Sequence, residues 1–392
     1  MLQKKKQPIL LRRSISLILI SSIFLALLLL NSFSADALSV DEITAPSAIL
    51  MEPHTRKVLF EKNSHEIRAC ASITKVMTLN LVFEAIESGK ISYDDIVTTS
   101  EHASSMGGSD IWLEPGETMS VYDMIKAVVV ASANDAAVAL AEHICGTEEE
   151  YVSQMNQKAK MLGMNDTVFK NCNGLDEEGH LTSAYDVALM SSELTTHEDI
   201  FEFSSIWLDY LRGGETQIVN TNKLLKSYKG ITGLKTGTTG QAGSCMSATA
   251  TRDDLSLVAV VLGCDTGTAR FSDSAKLLDY GFANFKTEKL LVPDDCLLPV
   301  KVKGGMESEV HVECKVGDSV ILPKGNDKVL TSDFTVTEEL QAPVEKGSVV
   351  GKLTYYHDSA TVDEYDIVTN TAVEAMSFRA VYKLLWQNLC SL

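Results

Sequence analysis

Ala71-Ser72-Ile73-Thr74-Lys75, leading directly into an apolar stretch that runs to Ser88, is the segment from which the rest of the chain can be read. A Ser-x-x-Lys pattern turns up about once by chance in a chain of 392 residues, so its setting has to carry the weight. Ile73, Val76, Met77, Leu79, Leu81, Val82, Phe83 and Ile86 surround most of a helical axis. They predict a buried helix from Ile73 to Ser88, stopped by Gly89. Ser72 then sits where that helix begins, with Lys75 three residues on and projecting from the same face. A serine hydroxyl is a poor nucleophile until a base takes its proton. A lysine held away from water binds its own proton less tightly and can be that base. The helix N-terminus also favours negative charge developing at a reacting carbonyl. The competing reading is a capping serine beside a solvated lysine, and the apolar surroundings count against it.

Two further motifs answer to the first. Ser132-Ala133-Asn134 falls between a helical stretch from Val121 to about Val130 and another from Asp135 to Cys145. Ser and Asn flanking a small Ala suit a loop that turns polar groups inward, and they equally suit a plain helix cap. Lys235-Thr236-Gly237 lies in Thr232–Thr238, a strand rich in glycine. Glycine weakens a strand and is useful where another backbone must come close, as when a peptide lies along a sheet edge. Lys235 brings a second positive charge that would help to lower the pKa of Lys75. Upstream, Ser47–Met51 and Lys57–Phe60 read as strands joined by a polar turn. Downstream, Ser244–Thr249 and Leu255–Leu262 read as a hairpin about Thr251-Arg252-Asp253-Asp254, followed by a helix from Arg270 to Phe285.

In this order and these contexts, the motifs are similar to those of the low-molecular-mass penicillin-binding proteins, the serine D-alanyl-D-alanine carboxypeptidases of the peptidase S11 family. The likeness extends to Phe169-Lys-Asn-Cys-Asn-Gly-Leu-Asp176 and His180-Leu-Thr-Ser-Ala-Tyr-Asp186, which resemble that family's F-x-N-x-x-G-L-D and T-A-x-D block. Asn220-Thr-Asn-Lys-Leu-Leu225 is also typical of it. Cys172-Asn173 stand where the family commonly has Pro-His.

The resemblance implies an α/β (α+β) transpeptidase/β-lactamase-like domain, an antiparallel sheet flanked by helices, followed by a small all-β domain and a C-terminal amphipathic helix. It implies that Ser72 forms an acyl-enzyme with a peptidoglycan pentapeptide or with a β-lactam inhibitor, and that Lys75 is the acylation base. Ser132 would relay a proton to the leaving group, while Asn134 would hold a substrate amide and orient Lys75. Lys235 and Thr236 would hold the substrate's terminal carboxylate, with Arg270 assisting. The backbone N–H groups of Ser72 and Thr238, beside Gly237, would form the oxyanion hole. For Arg270 a structural salt bridge is an equal alternative. No metal and no cofactor is called for. The nearest rival is a class A β-lactamase, but Asn171-Cys-Asn-Gly-Leu stands where those enzymes place a Glu-x-x-x-Asn deacylating loop. A non-catalytic scaffold is opposed by the intact Ser72, Lys75, Asn134 and Lys235.

The rest of the chain bounds the setting. A formal charge of −19 argues against nucleic acid as a partner. Lys4, Lys5, Lys6, Arg12 and Arg13, the uncharged run Ser14–Leu30 and the small-residue site Ala35-Asp36-Ala37 read as a secretory signal peptide over residues 1–37. That places the remainder outside the cytoplasm, at the cell wall or the outer face of the membrane; an uncleaved anchor is the alternative. Eight cysteines without Cys-x-x-Cys or regular spacing read as free, small hydrophobes. Eight histidines lack metal-ligand spacing. The expected domains are a catalytic one over 38–288 and a β-domain over 289–367, where short β-prone stretches alternate with turns. Residues 368–392 read as an amphipathic helix, with Val373, Met376, Val381, Leu384, Leu385, Trp386 and Leu389 on one side. Such a helix either packs on the β-domain or lies on a membrane surface.

Overall fold

The structure, a computed structural model, describes residues 38–325, 329–379, 381–383 and 386. The expected signal peptide, and residues 380, 384, 385 and 387–392 of the expected terminal helix, lie outside the described residues. Five antiparallel strands make the central sheet: Ser47–Glu52 (β1), Lys57–Lys62 (β2), Ile231–Thr239 (β3), Gly243–Arg252 (β4) and Leu255–Cys264 (β5). Their spatial order is β2-β1-β5-β4-β3, so the first strand of the domain pairs with its last and β3 is left at an edge. The β4–β5 turn holds Asp253 and Asp254 at φ 48° and 62°, the pair of left-handed residues that a two-residue hairpin requires. Asp tolerates that region through its short polar side chain, which is why the turn forms without glycine.

Helices cover both faces of the sheet. Lys75–Glu87 (α1), Val121–Lys126 (α2), Asn134–Cys145 (α3), Glu148–Leu162 (α4) and Ala184–Leu194 (α5) come between β2 and β3, and Gly267–Asn284 (α6) follows β5. Successive residues of a strand point to opposite faces, and Leu50 and Met51 of β1 show which helix lies where. A Cβ on Gly281 of α6 would come 2.9 Å from a Leu50 methyl, whereas Ser192 of α5 reaches Met51 Sδ at 3.6 Å. With both faces covered, β5 reads as a nearly continuous apolar run instead of an alternating one. α1 is buried along most of its length behind α5, pinned where Asn80 Nδ2 donates to Met190 O at 2.9 Å.

Phe285–Lys289 leads out of α6 and pairs with Ser319–Pro323 of the β-domain. Lys57 Nζ donates to Ile321 O at 2.9 Å and Lys324 Nζ to Phe282 O at 2.7 Å, tying the two parts together. The β-domain core includes Val300, Val310, Leu322, Leu353, Tyr355 and Ile367. Its strand Ala360–Thr369, between Val312–Cys314 and Val349–His357, has no counterpart in the sequence reading. Residues 370–377, expected as the start of a helix, stay non-helical. Val373 bridges Val344 and is 2% exposed, and Ala375 bridges Gly305. Helical geometry begins at Phe378, where Phe378, Tyr382 and Trp386 stack in an exposed row with centroids 6.3 Å apart. No helix among the described residues is long and apolar enough to cross a membrane.

Candidate active site

The Ser-x-x-Lys motif begins as a 3-10 turn, Ala71–Thr74, and the α-helix proper begins at Lys75. Ala71 is held at φ 52°, a strained value for a residue with a Cβ. Two glycines make room for this turn. A Cβ on Gly174 would lie 2.0 Å from Ala71 O, and one on Gly237 would lie 2.7 Å from Cys70 O and 3.0 Å from Ser72 N. The glycine in β3 therefore admits the chain's own Ala71–Thr74 turn, a closer neighbour than the peptide that the sequence pattern suggested.

Lys75 is fully buried and makes three contacts: Ser72 Oγ at 3.0 Å, Asn134 Oδ1 at 2.5 Å and the Asn173 carbonyl at 2.6 Å. Burial lowers its pKa to about 7, against the smaller opposing pull of Cys172, Asp110 and Asp135. Lys235 is not the principal cause; burial is. The repulsion is felt instead at Lys235, whose pKa is driven well below the ordinary lysine value by burial first, then by Lys75 and Arg270.

α2 ends in a π turn, Ala127–Ala131, and Ser132 follows at φ 63° in the left-handed region. That break rotates Ser132 inward, and Lys235 Nζ donates to its Oγ at 2.7 Å and to Thr236 O at 3.1 Å. Asn134 opens α3, with its backbone N–H given to Ser109 O at 2.7 Å and its side-chain amide to Gly107 O at 2.6 Å. Fixing the amide nitrogen in this way leaves Oδ1 facing Lys75. Thr236 Oγ1 donates to Thr221 Oγ1 at 2.6 Å, and Thr238 is exposed at the mouth. Arg270 Nη1 donates to Gly237 O at 2.9 Å and to Thr238 Oγ1 at 2.7 Å, with its Nε buried and unpaired. These contacts set Arg270 against β3, with no carboxylate among its partners in the described residues. Ser72, Lys75, Ser132, Asn134, Lys235, Thr236, Gly237, Thr238 and Arg270 thus come together where the Ala71–Thr74 turn, the start of α3 and β3 meet.

Three contributors had no signal in residue type. The Asn173 carbonyl is a backbone group, to which no residue type points. Asp135, 1% exposed, accepts the backbone N–H groups of Ile111 (3.1 Å) and Leu113 (3.0 Å), anchoring the strap before α2 against the start of α3. His180 Nδ1 accepts from Lys170 N at 3.1 Å, so Nε2 carries the proton and donates to Thr74 Oγ1 at 2.7 Å. The seven cysteines among the described residues are free, five of them buried.

Residues 34–266 match the D-alanyl-D-alanine carboxypeptidase family of peptidase S11, and residues 285–375 match the C-terminal domain of penicillin-binding protein 5. The D-alanyl-D-alanine carboxypeptidase DacF of Bacillus subtilis is 42% identical over 338 residues, 85% of this chain and 87% of that one. Penicillin-binding protein 5 from Haemophilus influenzae superposes with a TM-score of 0.78 at 31% identity, over 86% of this chain and all of that one. Penicillin-binding protein D2 from Listeria monocytogenes, solved in an ampicillin-bound form, is 33% identical with a TM-score of 0.56, over 61% of this chain and 98% of that one.

Proposed function

Because this chain belongs to the D-alanyl-D-alanine carboxypeptidase family, we propose that it removes the terminal D-alanine of peptidoglycan stem peptides through an acyl-enzyme on Ser72. The observation that carries the assignment of roles is the set of acceptors around Lys75. A neutral amine has two N–H bonds and one lone pair. With the two N–H bonds held by Asn134 Oδ1 and Asn173 O, the lone pair is left for the Ser72 hydroxyl proton. A pKa of about 7 puts an appreciable share of Lys75 in that form at neutral pH.

Ser72 Oγ then attacks the carbonyl of the penultimate D-alanine while its proton passes to Lys75. The N–H groups of Ser72 and Thr238 take the developing oxyanion. The proton taken up by Lys75 is relayed to the departing amine through Ser132, which is hydrogen-bonded to Lys235; D-alanine leaves, and water hydrolyses the ester to restore Ser72. Lys235 spends two N–H bonds on Ser132 and Thr236, which leaves one for the substrate's carboxylate, beside Thr236 and the Arg270 guanidinium.

A β-lactam presents its strained amide to the same serine. Among the described residues no carboxylate is hydrogen-bonded to Ser72 or Lys75, which supports slow loss of the penicilloyl group and hence inhibition, not β-lactamase turnover. Export on the signal peptide at 1–37, and attachment of the terminal helix to the outer face of the cytoplasmic membrane through its aromatic row, complete the reading.

Incubation with a labelled penicillin and with a D-Ala-D-Ala pentapeptide tests it. The protein should take up one stable label and release D-alanine, and Ser72→Ala should do neither. Rapid turnover of the penicillin, or D-alanine release by Ser72→Ala, would overturn the assignment.

A further inference from the structure

Trp112 is 80% exposed and stands at φ 54°, a conformation that costs a bulky residue energy and persists only where its surroundings impose it. They do so here. The N–H groups on either side, of Ile111 and Leu113, are both bound by the buried carboxylate of Asp135, which directly follows Asn134. The backbone of Trp112 is therefore held, with its indole in solvent, by the same strap that positions the side-chain amide of Asn134 through Gly107 O. It borders a groove of about 620 Å³ formed with Ile111, Glu114, Glu117, Arg212 and Thr216. Arg212 is committed: Nε and Nη2 grip the Glu117 carboxylate at 2.7 and 3.2 Å, and Nη1 holds Thr216 Oγ1 at 3.0 Å. Glu117 is thereby neutralised. The Glu114 carboxylate is exposed and has no hydrogen-bond or ion-pair partner among the described residues, so the groove keeps a net negative charge beside an aromatic face.

We propose that Trp112 and Glu114 form a subsite for an ammonium-bearing side chain in the stem peptide, upstream of the scissile D-Ala-D-Ala bond. An ammonium is attracted to an indole face and to a carboxylate, while a carboxylate-bearing side chain would meet Glu114 with the Arg212 guanidinium already paired. The direction follows from the site. Lys235 and Arg270 take the substrate's carboxylate end, so the acyl side of the peptide runs past Asn134 towards the strap. The proposal rests on the carboxypeptidase reading above, and it concerns selectivity rather than the bond-breaking step.

The test compares kcat/KM of the full chain for two D-Ala-D-Ala pentapeptides, identical except that one carries a free side-chain amine and the other has it acetylated. A short N-acyl-D-Ala-D-Ala substrate reads the underlying reaction. The wild type should prefer the free amine, and Trp112→Ala should reduce that preference about fivefold, the size of a partly solvated cation–π contact. Glu114→Gln should reduce it in the same direction, and Trp112→Phe should restore part of it. An unchanged preference in both variants, or a wild type indifferent to acetylation, overturns the subsite while leaving the carboxypeptidase reading intact. Failure of the wild type on the short substrate overturns that reading and the subsite with it.

Discussion

Lys75 has three acceptors within reach and, once neutral, can donate to only two of them, and the pH dependence of the reaction follows from that count. In the proposed mechanism Lys75 acts unprotonated, so penicillin acylation should rise with pH through an apparent pKa of about 7. In the same mechanism Lys235 keeps its proton to hold a carboxylate, and burial and its charged neighbours lower its pKa well below 10.5. The rate should therefore fall again on the alkaline side, earlier than an ordinary lysine would give, and the two apparent values belong to the lysine pair. A second-order acylation rate that stays level across neutral pH would contradict this. Gly237 offers a second check at the same scale. A methyl group there collides with backbone at Cys70 and Ser72, which cannot move aside as a side-chain end could. Gly237→Ala should slow acylation roughly a hundredfold by displacing the nucleophile turn, with a fall in Tm of several degrees. Labelling kinetics and a thermal scan read the two effects separately.

His180 joins two elements, the loop after α4 and the nucleophile turn, through one neutral ring. Burial holds its pKa down at about 4, against 6.5 in the unfolded chain. A histidine with a depressed folded pKa contributes stability that is present above 6.5 and is lost as pH falls towards 4. The shift corresponds to about 3 kcal/mol across that window. His180→Phe should be less stable at neutral pH by about 1–2 kcal/mol, since Thr74 Oγ1 loses its donor, yet show a flatter loss below pH 6.5. Urea midpoints measured from pH 7 to 4 compare the two slopes; parallel slopes would remove His180 from the acid response. None of this linkage shows in sequence, although the elements it joins do. α1, β1, β2 and the β4–β5 hairpin were legible because periodicity and turn residues report burial directly. The π turn at Ala127–Ala131 was not, because Ala-Val-Val-Val-Ala packs equally well in an α-helix, and only the left-handed Ser132 marks the break. The three motifs disclosed which side chains meet, whereas the Asn173 carbonyl could not be found from a residue type.

Across the whole molecule, the catalytic part was read more fully than the β-domain, for a reason visible in one strand. Ala360–Thr369 carries Asp363, Glu364 and Asp366, so its composition resembles a loop although it pairs on both sides. Its strand character comes from those neighbours, and tertiary pairing overrides a weak local preference. The same effect governs the chain end. The apolar positions from Val373 onward look like one helical face, but Val373 is drawn into the β-domain core by its bridge to Val344, and the exposed Ala375 is held extended by its bridge to Gly305. Phe378, Tyr382 and Trp386 remain outside that core with their rings exposed. This division fixes where a truncation separates folding from attachment. A chain ending at residue 377 keeps both bridges and should match the full protein in Tm and penicillin acylation, while no longer sedimenting with phospholipid vesicles. A chain ending at residue 369 loses Val373 from the core and should fall in Tm by several degrees, since deleting a buried aliphatic side chain costs about 2 kcal/mol or more. If the 377-residue chain still binds vesicles, the aromatic row is not the membrane contact. If it unfolds early, the terminal helix is part of the β-domain after all.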